Sequence, residues 1–379
     1  MKAGWRTEIL GNLCDILDSQ RKPITKSDRT AGKYPYYGAT GIVDYVDSFI
    51  FDEPLVLVGE DGAKWASGEN TAFAVEGKCW VNNHAHVLRP NRASILDNWI
   101  IHFLVHSDLS GFVSGLTVPK LNQGNLREIP IPVPPLAEQK RIVTLLDEAF
   151  AHITTAKANA EQNLQNARAL FDSHLQSVLM NEKWDWKTLG EVCERVEYGT
   201  STKSKPQGTI PVLRMGNVQD RKLDWTDLVY TDDADEIEKY LLKHNDVLFN
   251  RTNSPELVGK TAIYKSESPA IFAGYLIRIH RKNSLLDADY LNYFLNSQIA
   301  LDYGKTVTIS SVNQANINGS KLKEYPIPVP PIADQQMIVT KLDAVASETQ
   351  RLESIYQQKV TALEALKKSL LHQAFSGQL

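Results

Sequence analysis

Two histidines set two residues apart are the first candidates for chemistry in this 379-residue chain. His84 and His86 lie in the stretch "VNNHAH" (81–86), and alternate residues of a strand share one face. A metal site would need a third and a fourth ligand, for which Glu60 and Asp61 are the nearby candidates. The spacing therefore allows a metal site, although the remaining ligands have to come from another segment.

The same region also allows other interpretations. Asp61 with Glu76 and Lys78 imitates the core of a magnesium-dependent nuclease, so a self-contained, metal-dependent DNA-modifying enzyme is one hypothesis. The imidazoles can equally be satisfied by hydrogen bonds near the core, which gives them a structural role only. Exposed donors and acceptors for a ligand are the competing interpretation of Asn82, Asn83 and His84.

Motifs for nucleotides and cofactors are incomplete or absent in the sequence. "SPELVGKT" (254–261) and "IALDYGKT" (299–306) resemble phosphate-binding loops, but Ser254 and Ile299 replace the first glycine. There is no GxGxxG for a dinucleotide or a methyl donor, and no Asp-Pro-Pro-Tyr or Asn-Pro-Pro-Tyr pocket for a flipped adenine. We therefore expect no cofactor and no resident metal.

Four polar stretches are typical of a nucleic-acid recognition surface. "SQRKPITKSDR" (19–29) and "YGTSTKSKPQG" (198–208) occupy matching places and join basic residues to hydroxyls, which are the groups that hold phosphates. "KYPYYGATG" (33–41) and "FNRTNSPELVGK" (249–260) add aromatic, Asn and Arg side chains, and Arg and Asn read guanine and adenine edges. The predicted DNA-binding residues are Arg21, Lys22, Lys26, Tyr36, Tyr37, Thr40, Asn82, Asn83, His84, Lys120, Lys203, Lys205, Arg214, Asn217, Asn250, Arg251, Asn253, Lys260 and Asn313.

Composition sets few limits on the partner. The formal net charge of −4 neither supports nor excludes DNA, so any phosphate affinity must come from basic groups gathered on one face. No apolar run is long enough to span a membrane, the N-terminus does not resemble a secretory signal, and three scattered cysteines do not form a disulfide framework. These features favour a reduced cytoplasm.

Two long segments must position these loops. Residues 137–183 and 333–379 contain no proline, and glycine occurs only near the end of the second, so both are predicted to be long helices. They align without a gap at an offset of 196, as in Ile142-Val143-Thr144 and Ile338-Val339-Thr340. Because forty-odd residues tolerate no insertion, the length itself is under constraint, and we expect the two helices to pair antiparallel.

The apolar pattern of the two helices predicts a coiled-coil seam with a heptad period. One alternative is that each stripe packs only on its own domain. The predicted seam consists of Ile142, Leu146, Ala149, Ile153, Ala156, Ala160, Asn163, Ala167, Leu170 and His174 in the first helix, and of Ile338, Leu342, Val345, Thr349, Leu352, Tyr356, Leu363, Leu366 and Leu370 in the second.

The repeat extends beyond the helices. "WRTEILGNLCDIL" from Trp5 and "WDWKTLGEVCERV" from Trp184 share Trp, Leu-Gly and Cys at an offset of 179, and "KLNQGNL" (120–126) echoes "SVNQANI" (311–317) at an offset of 191. The predicted plan is a variable domain at 1–136, a helix of fixed length at 137–183, a second variable domain at 184–332 and a second such helix at 333–379. Insertions then fall within the two variable domains.

The variable domains are predicted to mix α and β structure. Strands are expected within 53–62, 85–90, 209–218, 245–252 and 275–280, and helices at 96–107 and 287–300. The order lacks the regular alternation of a parallel doubly wound sheet, which indicates an α+β fold with a pseudo-twofold repeat. The duplicated "IPIPVPPL" (129–136) and "YPIPVPPI" (325–332) make a stiff start for each helix, because proline fixes φ.

These motifs resemble the specificity subunit of type I restriction–modification systems. The resemblance is carried by "LNQGNLREIPIPVPPLAEQKRIVTLLD", "VNQANINGSKLKEYPIPVPPIADQQMIVTKLD" and the terminal "LLHQAFSGQL", and it covers essentially the whole chain. "DVLFNRTNSPELVGK" and "FDEPLVLVGEDGAKWASG" are similar to target-recognition-domain sequences of that family.

The resemblance implies two target-recognition domains, each reading one half of a split double-stranded DNA site, with the paired helices fixing the gap. It also implies two methyltransferase subunits, which bring S-adenosylmethionine and the adenine-methylating chemistry, and restriction subunits in the full complex. The chain would then be a reader without a reaction of its own. A paired-helix scaffold that binds only proteins stays open as a further alternative.

Overall fold

The computed structural model describes residues 4–115, 117–180, 183–311 and 314–379. Asn313, one of the predicted DNA-binding residues, lies outside them. The chain divides into two compact units, unit 1 with Met1–Glu161 and Gln357–Leu379, and unit 2 with Gln162–Tyr356. Each unit therefore contains one half of each long helix.

The globular part of unit 1 consists of short strands and helices around buried sheets. Its strands are β1 Arg6–Ile9, β2 Cys14–Ile16, β3 Ala31–Gly38, β4 Gly41–Val46, β5 Phe51–Asp52, β6 Leu55–Gly59, β7 Ala72–Val75, β8 Lys78–Val81, β9 Ala85–Pro90 and β10 Pro130–Val133. Its helices are α1 Leu10–Leu13, α2 Asp97–His106 and α3 Gln123–Arg127, and the long helix α4 Leu136–Leu179 follows.

Unit 2 repeats this arrangement with additional strands. The strands are β11 Trp186–Thr188, β12 Cys193–Tyr198, β13 Ile210–Leu213, β14 Val218–Gln219, β15 Lys222–Leu223, β16 Val229–Thr231, β17 Val247–Asn250, β18 Thr252–Asn253, β19 Thr261–Ile263, β20 Ile271–Phe272, β21 Leu276–Arg281, β22 Ile309–Ser311, β23 Gln314–Asn316 and β24 Pro326–Pro328. The helices are α5 Leu189–Val192, α6 Ala234–Tyr240, α7 Ala288–Leu295, α8 Gln298–Val307, α9 Gly319–Lys323 and the long helix α10 Ile332–Ser376.

One antiparallel sheet recurs in both units. Its strand order is β2-β9-β6-β7 in unit 1 and β12-β21-β17-β19 in unit 2. The central strands β6 and β17 are buried along their whole length because apolar side chains pack on both faces, with α2 on one face of the first sheet and α7 on one face of the second. The mixed α and β composition predicted from the sequence is confirmed.

Each proline phrase forms a strand before its long helix begins. β10 pairs antiparallel with β1 and β24 pairs antiparallel with β11, so the phrase is part of a two-stranded ribbon. Proline is tolerated because only alternate residues of a ribbon need to donate an N–H to the partner strand. The buried Ile131 and Val133 alternate with the prolines and fix the ribbon to the core.

The predicted long helices are confirmed within a few residues, and they pack antiparallel. In unit 1, Lys157 Nζ lies 2.6 Å from Glu364 Oε1. In unit 2, Arg168 Nε lies 3.4 Å from Glu353 Oε1, a pair that is eleven residues further along α4 and eleven residues back along α10. Residue numbers rise along one helix as they fall along the other, which is the signature of antiparallel pairing.

The predicted heptad seam holds at Leu146, Ile153, Ala160 and Ala167, which are buried at a spacing of seven residues, but three of its positions are exposed. Leu170 is 60% exposed and Leu366 is 47% exposed, and Asn163 is also exposed. A second set of buried positions recurs every eleven residues, which gives about 3.67 residues per turn, close to an unstrained helix. The eleven-residue stripe consists of Ile142, Ile153, Leu164 and Leu175 in α4 and of Ile338, Thr349, Val360 and Leu371 in α10, all buried except the half-buried Leu164.

The echo between "KLNQGNL" and "SVNQANI" is also corrected. Asn122 caps α3 by accepting from Asn125 N, and Asn318 caps α9 by accepting from Lys321 N, so these two asparagines are the equivalent residues. The offset of 196 therefore extends upstream of the long helices to Leu121 and Ile317. The helix predicted at 287–300 is two helices, because Ser297 caps a new one by accepting from Ala300 N.

Candidate nucleic-acid interface

Three loops of unit 1 meet at one end of its central sheet. Glu60 N donates to His84 O, Leu121 N donates to Glu60 O, and Asp61 forms a β-bridge with Lys120. The loop after β3 joins them, since a Cβ on Gly59 would lie 3.0 Å from Ala39 O. Of the predicted residues, the structure brings Asn82, Asn83, His84, Lys120 and Arg21 together here.

An ion network holds this cluster. Arg21 pairs with Glu60 and donates to Ala85 O at 2.8 Å and to Asn83 O at 3.4 Å. Lys120 Nζ lies 2.8 Å from the second oxygen of Glu60, and its side chain is 44% exposed. The Glu60 carboxylate therefore binds two cations, and Lys120 remains accessible to a phosphate.

His86 and Asp18 form the buried base of the network. His86 donates from Nδ1 to Asp18 Oδ2 at 2.6 Å and from Nε2 to Leu121 O at 2.7 Å. Burial alone would raise the pKa of Asp18, but hydrogen bonds from His86 and Val87 and the charges of His86 and Arg21 hold that pKa below its usual value. The carboxylate therefore stays charged and ties the loops to the sheet.

The geometry does not form the predicted metal or nuclease sites. Asp18, Glu60 and His86 lie close enough to share a cation, but Arg21 already pairs with both carboxylates, and His86 and Lys120 also bind Asp18 and Glu60 respectively. His84 faces away and pairs instead with Asp61 at 2.5 Å. This donor set does not fit a metal, because ligands would have to exchange buried partners for it.

The nuclease-like pattern fails for a topological reason. β6 and β7 pair antiparallel with Leu55 opposite Val75, so Glu76 lies beyond the Leu55 end of β6. Asp61 follows the opposite end of the same strand, and five strand residues span roughly 16 Å. The two carboxylates therefore cannot share an ion.

The three cysteines are buried and free, and burial raises the thiol pKa to about 12 for Cys14 and Cys193 and to about 11 for Cys79.

Other predicted residues of unit 1 divide into exposed and structural groups. Lys22, Lys26 and Thr40 are exposed, and Tyr37 is half-buried beside Phe73. Tyr36 is 1% exposed, and its hydroxyl accepts from Ile24 N at 3.1 Å. In this conformation the Tyr36 ring anchors the 19–29 loop and cannot touch DNA. Asn82 is also buried, and its Oδ1 accepts from His84 N.

In unit 2 the equivalent place is occupied by Arg251. Its guanidinium lies 4.9 Å from the centre of the Tyr198 ring and donates to Gly274 O at 3.3 Å and to Asn316 Oδ1 at 3.2 Å. Asn316 in turn donates to Thr252 Oγ1 at 2.8 Å. A half-buried guanidinium is thereby oriented by one ring and by neutral groups, with no carboxylate partner among the described residues.

The neighbours of Arg251 are less accessible than the sequence indicates. Asn250 is fully buried, and neither atom of its amide has a hydrogen-bond partner among the described residues, so in this conformation it cannot read a base. Asn253 and Lys260 are half-buried, and Lys260 O accepts from Asn250 N. These residues line the same loop, and their DNA contacts stay predictions.

The remaining predicted residues of unit 2 lie around β13 and β16. Lys203 is exposed, Lys205 pairs with Asp232 at 3.1 Å, and Arg214 pairs with Asp227 at 2.9 Å. Asn217 is buried and donates to Asp224 O and Asp227 O, which makes it a loop-closing residue in this conformation. Sequence reasoning missed Tyr198 and Asn316, because stacking and amide contacts across distant loops leave no local signal.

Comparison with known proteins assigns the family. A family model for the type I restriction modification DNA specificity domain matches residues 2–165 and again residues 181–362. The chain belongs to the type I restriction–modification specificity-subunit family. A putative type I restriction enzyme specificity subunit of Haemophilus influenzae is 26% identical over 88% of this chain and 86% of that protein. The EcoKI specificity subunit of Escherichia coli is 25% identical over 87% of this chain and 75% of that protein.

Solved structures show the same fold for type I specificity subunits. A chain from a study of complex assembly and conformational transition of the type I restriction–modification system has a TM-score of 0.76 at 20% identity, covering 100% of this chain and 99% of that chain. An HsdS subunit from Thermoanaerobacter tengcongensis has a TM-score of 0.59 at 19% identity, covering 100% and 98%.

Family membership defines the general role of this specificity subunit. Such subunits recognise DNA sequence and are non-catalytic, and the partner subunits of a type I system carry the catalytic activities. DNA and the methyltransferase and restriction subunits are the partners of the family. The hypothesis of a metal-dependent enzyme is not supported. Within the described part of the chain, no helix has the length and apolar character needed to cross a bilayer.

Proposed function

We propose that this specificity subunit reads a two-part DNA site, one part with each half of the chain. The observation that carries the proposal is a repeated scaffold with different loop chemistry. The residue after the central strand is Glu60 in unit 1 and Arg251 in unit 2, and each accepts through its carbonyl from an equivalent amide, of Leu121 or Ile317. The same backbone position carries a carboxylate paired with two cations in unit 1 and a guanidinium without a carboxylate partner among the described residues in unit 2. Such different loop chemistry is suited to two different base sequences.

The functional segments follow the sequence repeat. We assign residues 1–136 and 184–332 to recognition, and residues 137–183 and 333–379 to spacing. Antiparallel packing and the unbroken stripe of the long helices support a spacing role, because DNA half-sites must be met at a fixed separation and helical phase. The predicted residues Lys22, Lys26, Thr40, Asn83, His84, Lys120, Lys203 and Arg251 have accessible side chains suited to DNA contact.

The repeat also favours two methyltransferase subunits for each chain. Equivalent surfaces occur twice, and the exposed Leu170 and Leu366 are one matched pair, separated by the helix offset of 196. A partner that recognises one surface finds a second copy of it. Methylation of adenines by these partners, and cleavage by restriction subunits in a full complex, would then follow the sequence chosen here. We place the subunit in the cytoplasm, where DNA is accessible.

Mapping methylated adenines in DNA treated with the subunit and its methyltransferase partner tests the proposal. The expected result is a two-part sequence with one fixed gap. A single uninterrupted sequence would contradict the assignment of one half-site to each unit. A footprint without any sequence preference would instead favour a scaffold that binds only proteins.

A further inference from the structure

Both long helices begin with the same buried glutamine. Gln139 in α4 and Gln335 in α10 are fully buried and lie one helix offset apart. Gln139 Nε2 donates to Pro134 O at 2.8 Å and to Ser94 O at 3.0 Å, while its Oε1 accepts from Leu96 N at 3.0 Å.

Gln335 repeats all three hydrogen bonds in unit 2. Its Nε2 donates to Pro330 O and Leu285 O, both at 2.8 Å, and its Oε1 accepts from Asp287 N at 2.8 Å. One carbonyl belongs to the proline phrase, and the other two groups belong to the loop before α7. Each glutamine therefore joins three segments, and its loss would leave three buried main-chain groups unsatisfied.

A second attachment lies two turns further along each helix. Asp147 accepts from His102 Nε2 at 2.8 Å and from Asn98 Nδ2 at 3.1 Å. At the equivalent position Asp343 accepts from the Tyr293 hydroxyl at 2.5 Å. The donors come from α2 in unit 1 and from α7 in unit 2, which are the helices that cover the central sheets.

Two attachments fix a direction where one would leave a pivot. Gln139 and Asp147 are eight residues apart, which is about 12 Å along a helix. An error of about 3° at the start of a helix displaces a point about 65 Å away by about 3.4 Å, the rise of one base pair. Discrimination of a gap to one base pair therefore requires a stiff joint.

We propose that Gln139 and Gln335 are positioning residues that set how strictly the two half-sites must be spaced. This inference rests on the proposed two-part function, and it concerns the gap alone. Base preference within each half-site depends on the loops at the far end of the sheets and stays unchanged when the joint softens.

The test compares Gln335→Met with Gln336→Met in the complete complex with the methyltransferase partner. Methionine nearly preserves the volume of the buried glutamine and removes all three hydrogen bonds, whereas Gln336 is exposed one residue further along the same helix. Methylation is measured on duplexes whose gap is native, or one or two base pairs longer or shorter. We expect Gln335→Met to lower the discrimination against a one-base-pair error about tenfold, with both half-site sequences unchanged and Gln336→Met like wild type.

Three results would overturn the inference. If the Gln335→Met subunit is folded, as its unfolding curve shows, and still rejects duplexes with a one-base-pair error in the gap, the inference is contradicted while the two-part function stands. A wild-type complex that accepts every gap removes the proposed function and this inference together. If Gln335→Met does not fold, Tyr293→Phe removes only the hydroxyl bond to Asp343, and unchanged gap discrimination in that variant is the third contradicting result.

Discussion

Glu60 and Arg251 occupy the same place in two copies of one scaffold and have opposite charges. Each follows the central strand of its sheet and accepts a hydrogen bond from the segment that leads to the proline phrase. Around Glu60 the partners are cationic, Arg21 and Lys120. Around Arg251 they are the Tyr198 ring and neutral oxygens. The two copies therefore share the backbone arrangement at this position but differ in the charge and in the hydrogen-bond partners of the side chain.

The starts of the helices show the opposite behaviour. Gln139 and Gln335 make equivalent sets of three hydrogen bonds. Asp147 accepts from α2 and Asp343 from α7, the equivalent covering helices. Only the donors differ, His102 and Asn98 in unit 1 and Tyr293 in unit 2. The joints are therefore the same in both units because they set geometry, whereas the loops differ because they set the sequence that is read.

Lengthening one helix is expected to have the largest effect, because it changes the shared geometry alone. Four residues inserted after Asn159 advance the following segment by about 6 Å and rotate it by about 40°. The accepted gap should become longer by about one to two base pairs, as measured by methylation of duplexes with graded gaps. Four residues inserted after Gly77, in the turn between β7 and β8, provide the control. Retention of the native gap by the helix insertion would show that the helices are not a spacer.

Asp18 is the residue at which the ion network around Glu60 can be disrupted. Asp18→Asn should lower the free energy of unfolding of unit 1 by about 3–5 kcal/mol at pH 7, because it removes one partner of a buried charged pair. The pKa of Asp18 is held below its usual 3.8 in the folded chain, so its stabilisation is complete above that pH and is lost as the pH falls through the lowered pKa.

Denaturant titrations at several pH values measure this difference. The difference in unfolding free energy between wild type and Asp18→Asn should disappear in acid. The Asp15 side chain is 74% exposed, so Asp15→Asn should have nearly the wild-type unfolding free energy at every pH. A difference in unfolding free energy that stays constant down to the lowest pH would mean that the charge of Asp18 does not hold the loops.

The sequence predicts those features that depend on periodicity and fails where burial is decided by distant segments. The long helices follow from forty-odd residues without proline, and strand β9 follows from its apolar run. The seam is wrong at Asn163 and Leu170, because heptad and eleven-residue patterns agree over the first turns and diverge there. Tyr36 and Asn250 were predicted at the surface because alternation along a strand does not tell which face a second layer covers.

The neutral side of the comparison is tested at Arg251, where the smallest effect is expected. Arg251→Ala should weaken one half-site by about 1–3 kcal/mol and leave the other unchanged, as measured by methylation rates on duplexes altered in one half-site at a time. Arg195 has a side chain that is 65% exposed, and Arg195→Ala is the matched control.

Arg251→Lys separates two mechanisms, because lysine keeps the charge but loses the planar fork that stacks on Tyr198. If Arg251 contacts a phosphate, lysine restores most of the rate for every sequence. If it reads a base edge, lysine fails as alanine does at one base pair only. An unaltered methylation pattern in both Arg251 variants would reduce Arg251 to a support for its loop.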